Sequence, residues 1–201
     1  MLARTTIATL ILAGAPLAAQ APAAAANARP TILPAEQQIA AAVLPIPAEF
    51  RPTAQVLGYG ADAKLTVLRP GAGAYVCLAS DPRVQRFHVA CYHRTLEVFM
   101  ARGRELRAQG LKAEQVDSAR FAEIRSGKLV MPAGATALYS LTGGSFDPAT
   151  GTTTGARPLF VVYIPNATGE TTGLTEKPVQ GAPWIMYPGT PKAHIMFVPT
   201  M

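Results

Sequence analysis

One amphipathic stripe divides this chain into a helical middle and two flanks of a different character. Tyr92, Leu96, Phe99, Met100, Gly103 and Leu106 recur at offsets 0, 4, 7, 8, 11 and 14, the spacing of one face of an α-helix. Arg94, Glu97, Arg104 and Arg107 fall on the opposite face, and Gly110 suits a left-handed cap. A second helix is predicted over 113–125, with Val116, Phe121 and Ile124 inward and Gly127 at its end. The short link between the two predicts an antiparallel pair. The flanks carry short apolar runs bounded by Gly and Pro, which read as strands. Those before the stripe are 54–59, 65–68 and 74–78, with turns at 60–63 and 70–73, a three-stranded meander. Those after it are 135–141, 158–164 and 193–198, with long loops over 142–157 and 166–177. A short helix over 34–44 starts at Pro34, carries Glu36 early and stops before Pro45 and Pro47. Asp81-Pro82 reads as a further helix start. The expected fold class is α+β: an antiparallel sheet with a helical hairpin inserted between two three-stranded halves, the helices on one face.

The first 33 residues stand outside this pattern. Arg4 precedes an uncharged apolar run from Ile7 to Ala18, and Ala19-Gln20-Ala21 fits a small-x-small cleavage site. That is the layout of a secretory signal peptide over 1–21. The run is too short for a bilayer, which needs about 20 residues, so no membrane span is expected. Residues 22–33 read as an Ala/Pro-rich linker and 34–201 as a single α+β domain. Only 15% of the 201 residues are charged, against about 25% in ordinary domains. That excludes a charge-driven disordered chain and a coiled coil. Arg, Ala, Gly and Pro are plentiful and Asn is rare, which suggests a GC-rich bacterial genome. The signal then implies a periplasmic or extracellular location.

Cys77 and Cys91 are the only cysteines. Export favours a disulfide between them. Two free thiols or a metal site are the alternatives.

Three segments, in order, resemble a family of small secreted bacterial proteins of unknown function. The first is Leu65-Thr66-Val67-Leu68-Arg69 with Tyr75-Val76-Cys77, Asp81-Pro82 and Cys91. The second is the strand end Leu138-Tyr139-Ser140-Leu141-Thr142-Gly143-Gly144-Ser145 leading to Asp147-Pro148. The third is Trp184 ahead of Ala193-His194-Ile195-Met196-Phe197-Val198. The resemblance covers roughly 54–199. The chain departs from the family at Tyr75, often Trp there, at His93, where an Asp is usual, and at Phe99, the nearest match to a helix Trp. The resemblance implies a shared fold and export, and carries over no catalytic residue.

Few residues carry obvious chemistry. Gly143-Gly144-Ser145-Phe146-Asp147 departs from the Gly-x-Ser-x-Gly nucleophile elbow at its last position. The glycines read as a turn, or as N–H donors to an anion, so Gly143, Gly144, Ser145 and Asp147 are ligand-loop candidates. Ser145, Asp147 and His194 are the residues a dispersed hydrolase would use. His88, Cys91 and His93 lie at short spacing, as zinc ligands do. Met186, His194 and Met196 offer soft donors suited to copper(I); alternation puts His194 and Met196 on one strand face. The net charge of +6, +5 without Arg4, favours an anionic lipid or polysaccharide surface. Nucleic acid is not expected, because the helix cations are interleaved with Glu97 and Glu105. The expected function is therefore a non-catalytic envelope protein that binds a ligand or partner, with no cofactor. The alternatives are a hydrolase and a copper-binding envelope protein.

Overall fold

A computed structural model describes residues 31–199. The expected signal peptide (1–21) and most of the linker (22–33) lie outside the described residues. The elements in order are α1 (Ala35–Ala42), β1 (Gln55–Tyr59), β2 (Leu65–Arg69), β3 (Tyr75–Leu78), β4 (His88–His93), α2 (Glu97–Ala108) and α3 (Ala113–Arg125). Then come β5 (Thr136–Thr142), β6 (Ser145–Asp147), β7 (Thr152–Thr154), β8 (Arg157–Tyr163), α4 (Gly169–Thr172), β9 (Trp184–Met186) and β10 (His194–Phe197). Eight strands form one sheet in the order β2-β1-β3-β4-β5-β8-β10-β9, and β6 and β7 form a separate ribbon. Mixed helix and sheet of this kind is an α+β architecture, as the pattern predicts. The two halves carry four strands each rather than three, and they are joined in one sheet. Four sheet strands precede α2 and α3 and four follow them, and β4 pairs directly with β5.

The front of the sheet is not a meander. β2 returns antiparallel to β1 on its outer side, and β3 lies parallel to β1 on the other. The 70–74 segment is thus a crossover rather than a hairpin turn. Two arginines hold it. Arg69 donates to the Ala54 and Arg51 carbonyls, and Arg94 donates to the carbonyls of Gly71 (2.7 Å) and Gly73 (2.8 Å). The glycine at 71 is required by close approach: a Cβ there would lie 2.5 Å from the Thr53 carbonyl oxygen.

The expected helix after Asp81-Pro82 is a turn followed by strand β4. The Asp81 carboxylate accepts from the Arg83 backbone N–H and from its guanidinium, so the aspartate closes a turn instead of capping a helix. Tyr92 therefore belongs to a strand. It still shares a core with Leu96 and Phe99, because the strand turns that side chain toward the face on which α2 docks.

Alternation along the strands divides the core in two. Val56, Tyr75, Cys77 and Cys91 pack with Ala42, Val43 and Ile46 at and after α1. Leu57, Val76, Tyr92 and Val161 pack with Leu96 and Phe99 of the α2 region. Helices thus cover both faces, α1 on one and the α2–α3 pair on the other, rather than one face alone. Gln38 ties α1 to β1: its amide donates to the Tyr59 carbonyl (2.9 Å) and its oxygen accepts from the Tyr59 N–H (2.8 Å). Cys77 and Cys91 stand directly opposite on β3 and β4 and are joined as a disulfide. A disulfide persists in oxidising compartments outside the cytoplasm. Among the described residues no helix is long and apolar enough to cross a membrane.

Candidate functional site

On the face that carries α2, the last turn of the helix stands across a gap from the ends of β1 and β3. Two hollows lie there. One, of about 750 Å³, runs between the last turn of α2 and the β1–β2 edge, and includes Tyr59, Leu65, Leu78, Arg104 and Arg107. The other, of about 480 Å³, lies over Leu78, Val84, Ala90 and His88, with Arg86 at its rim. Tyr59, Leu78 and Asp81 line both, so the two adjoin as neighbouring lobes of a groove. Its floor follows from register. Leu65 pairs with Tyr59, Leu78 with Ala90, and His88 with Thr142, all on the face that carries α2. Each hollow falls in the roughly 300–1,000 Å³ range of small-molecule sites.

The polar groups of the groove differ in how far they are committed. Arg83 grips the Asp81 carboxylate with two hydrogen bonds (2.8 and 2.7 Å), and its guanidinium lies 5.7 Å from the Tyr59 ring centre. Those bonds hold the Asp81 carboxyl below its ordinary range. Burial, aided by the Asp81 charge, pushes the Tyr59 hydroxyl up. Arg104 donates to the Tyr92 hydroxyl and to Glu97, both at 2.7 Å, while Tyr92 donates to the other Glu97 oxygen. Arg104 is thus locked in place. Arg107 donates only to the Gly103 carbonyl (2.9 Å), and neither it nor Arg86 pairs with a described carboxylate. Lys64, Arg83, Arg86, Arg104 and Arg107 face Asp81 and Glu105 across the lining, a cationic excess. His88 is engaged through Nδ1 with the Thr142 hydroxyl (2.8 Å).

A second polar cluster lies at the other end of the sheet. Asp117 accepts from Arg120 (2.5 Å) and Lys192 (2.8 Å). Burial alone would raise its carboxyl, but these two bonds outweigh it and hold the pKa low. Arg120 is buried, donates to the Phe99 carbonyl and stacks on that ring, 3.7 Å from its centre; its Nε has no hydrogen-bond partner. His194 is buried between Tyr163 and Tyr187, with Nδ1 2.7 Å from the Lys192 carbonyl. Burial, with help from the Lys192 charge, depresses the His194 pKa, and burial pushes Tyr163 up to about 12. This cluster clamps α3 to β8 and β10.

The expected site residues fare differently. Gly144 and Ser145 line a hollow of about 290 Å³ beside α1, together with Gln38 and Phe87. The glycine pair carries positive φ, and Asp147 is committed to its own turn, accepting from the Ala149 N–H and the Thr150 hydroxyl. Ser145, Asp147 and His194 do not converge. Thr136, Tyr163 and His194 share one cross-strand row, whereas Ser145 lies beyond Thr142 at the other end of β5. At about 3.3 Å per residue, that strand alone separates them by roughly 20 Å. The His88, Cys91 and His93 grouping does not form either: Cys91 is in the disulfide, and the two histidines, five apart on a strand, face opposite sides. Met186, His194 and Met196 do share a face, since Met186 pairs with His194. Among the described residues no group of three or more His, Cys, Asp or Glu is arranged to hold a metal ion.

The groove was not foreseen. Its floor residues come from five strands, and nothing local marks them. Arg104 and Arg107 were visible, but as the solvated side of a helix. No family model, curated protein or solved structure matches this chain.

Proposed function

We propose that the protein is an exported, non-catalytic member of the bacterial envelope, periplasmic or extracellular, that binds a ligand in the groove beside α2. The observation that carries this reading is the pair of adjoining hollows over Tyr59, Leu78 and Ala90, with polar groups at their margins and an apolar floor. Sites of that make-up are the usual places for small ligands. Export is supported by the N-terminal charge and apolar pattern and by the disulfide. The likeness to small secreted bacterial proteins points the same way. Amide NMR of the folded chain with a small-molecule extract of a bacterial envelope tests the reading. Shifts should gather at Leu78, Ala90 and Thr142; no shifts, or shifts scattered over the surface, would sink it.

A copper-binding role is a second reading, favoured by the register that brings Met186, His194 and Met196 to one face. Thioether and imidazole donors suit copper(I). Competition against a copper(I) chelator should show one bound ion, lost in Met186→Leu and in Met196→Leu. Binding unchanged by both substitutions removes this reading.

A further inference from the structure

The geometry points to a single-chain amphiphile with an anionic headgroup as the ligand of the groove, an inference that rests on the groove being the binding site. Three observations converge on that class. The floor, Leu65, Leu78 and Ala90 with the Tyr59 ring, is apolar, and Tyr59 and Leu78 belong to both of the adjoining hollows. An elongated apolar body matches it better than a compact polar solute. The margins carry more positive than negative charge, so an anion is complementary and a cation is not. The cations also differ in availability. Arg83 and Arg104 are held by Asp81 and Glu97, whereas Arg107, at the α2 end, and Arg86, at the opposite rim, have no carboxylate partner among the described residues. A guanidinium without a carboxylate can give a forked pair of hydrogen bonds to a phosphate or carboxylate headgroup. The committed pair Asp81–Arg83 lies beside Tyr59, where the two hollows adjoin.

The test is calorimetric titration and amide NMR of the full chain with dodecyl phosphate below its micelle concentration. Inorganic phosphate and dodecyltrimethylammonium serve as the other two arms. Saturable one-to-one binding of dodecyl phosphate alone, with shifts at Leu78, Ala90 and Thr142, is expected. Arg86→Gln and Arg107→Gln together should weaken it by about tenfold or more, the worth of one charge-assisted hydrogen bond. Both side chains are on the surface, and retained amide dispersion checks that the variant folds. Equal binding of inorganic phosphate, equal binding of the cationic amphiphile, or an unchanged affinity in the double variant overturns the proposal. If envelope extract shifts the groove amides and dodecyl phosphate does not, the ligand class is wrong and the groove stands. If neither does, both fail.

Discussion

Gly143 and Gly144 both sit in the left-handed region, at φ 79° and 63°, yet their demands differ. A Cβ at Gly143 meets nothing within 4 Å, whereas one at Gly144 would lie 2.1 Å from the Thr154 carbonyl oxygen and 2.5 Å from the Ala156 nitrogen. Gly143→Ala should therefore cost only the left-handed penalty, about 1–2 kcal/mol. Gly144→Ala must also push the turn before β6 away from the end of β7 and the residues that follow it, and should cost more, about 3 kcal/mol or above. Thermal unfolding of the two variants checks the order; equal losses would contradict the close approach. Arg120 is the other residue whose environment decides its role. It looks like an ordinary helix-surface arginine in the sequence, but lies buried against Phe99 and Asp117. Gly103 leaves room for it, since a Cβ there would come within 2.8 Å of its Nη1. Asp117→Ala leaves that guanidinium without its carboxylate and should destabilise by about 3–5 kcal/mol, read as a shift in the urea midpoint.

At the scale of elements, the disulfide pins β3 to β4 where Cys77 faces Cys91, fourteen residues apart in sequence. Closing a loop of that length stabilises by about 3 kcal/mol in the chain-entropy account. The register has further support from the Tyr75–His93 and Val76–Tyr92 pairs. The Cys77→Ala, Cys91→Ala double variant should therefore keep its far-ultraviolet spectrum and lose about that much stability. Loss of the fold at 25 °C would mean that the bridge carries more than loop entropy. Both predicted helices of the hairpin are present, because their apolar spacing is local information. β4 was concealed, because Tyr92 satisfied a helical period while its backbone was extended. The short strands β6, β7 and β9 carried no pattern long enough to read, and exist because a neighbouring strand supplies their hydrogen bonds.

For the molecule as a whole, pH reports the cost of the buried polar cluster. His194 is held below the ordinary imidazole value, chiefly by burial. Below about pH 6.5 the unfolded chain takes up a proton there that the folded chain resists. The associated stability is complete above that pH and declines as acid is added. Asp81 and Asp117 are also held low, so their contributions are complete above the ordinary carboxylate value and are lost as pH falls through their folded values. The melting temperature should begin to drop below about pH 6.5 and drop again below about pH 4. His194→Asn should shrink the first drop to the share of His88, which burial and the Arg86 charge also hold low, and leave the second unchanged. A melting temperature that stays flat from pH 7 to 5 in the parent chain would contradict the buried neutral imidazole.

Local spacing determined helices α2 and α3, the short N-terminal helix, most of the longer strands and the α+β class. Those signals depend on residues within a few positions of one another, so they survive in a bare string. The candidate cysteine pairing was also open to reading, since only two cysteines exist. Sheet order, the parallel β1–β3 pair, the second helical face and the groove were decided by tertiary structure alone. Each depends on which distant strands become neighbours. The groove floor joins Tyr59, Leu78, Ala90 and Thr142, residues from four strands that meet only because β1, β3, β4 and β5 lie side by side. Arg107 and Arg120 make the same point on adjacent helices. Both are arginines on amphipathic segments, and only packing left one at the edge of a groove and buried the other.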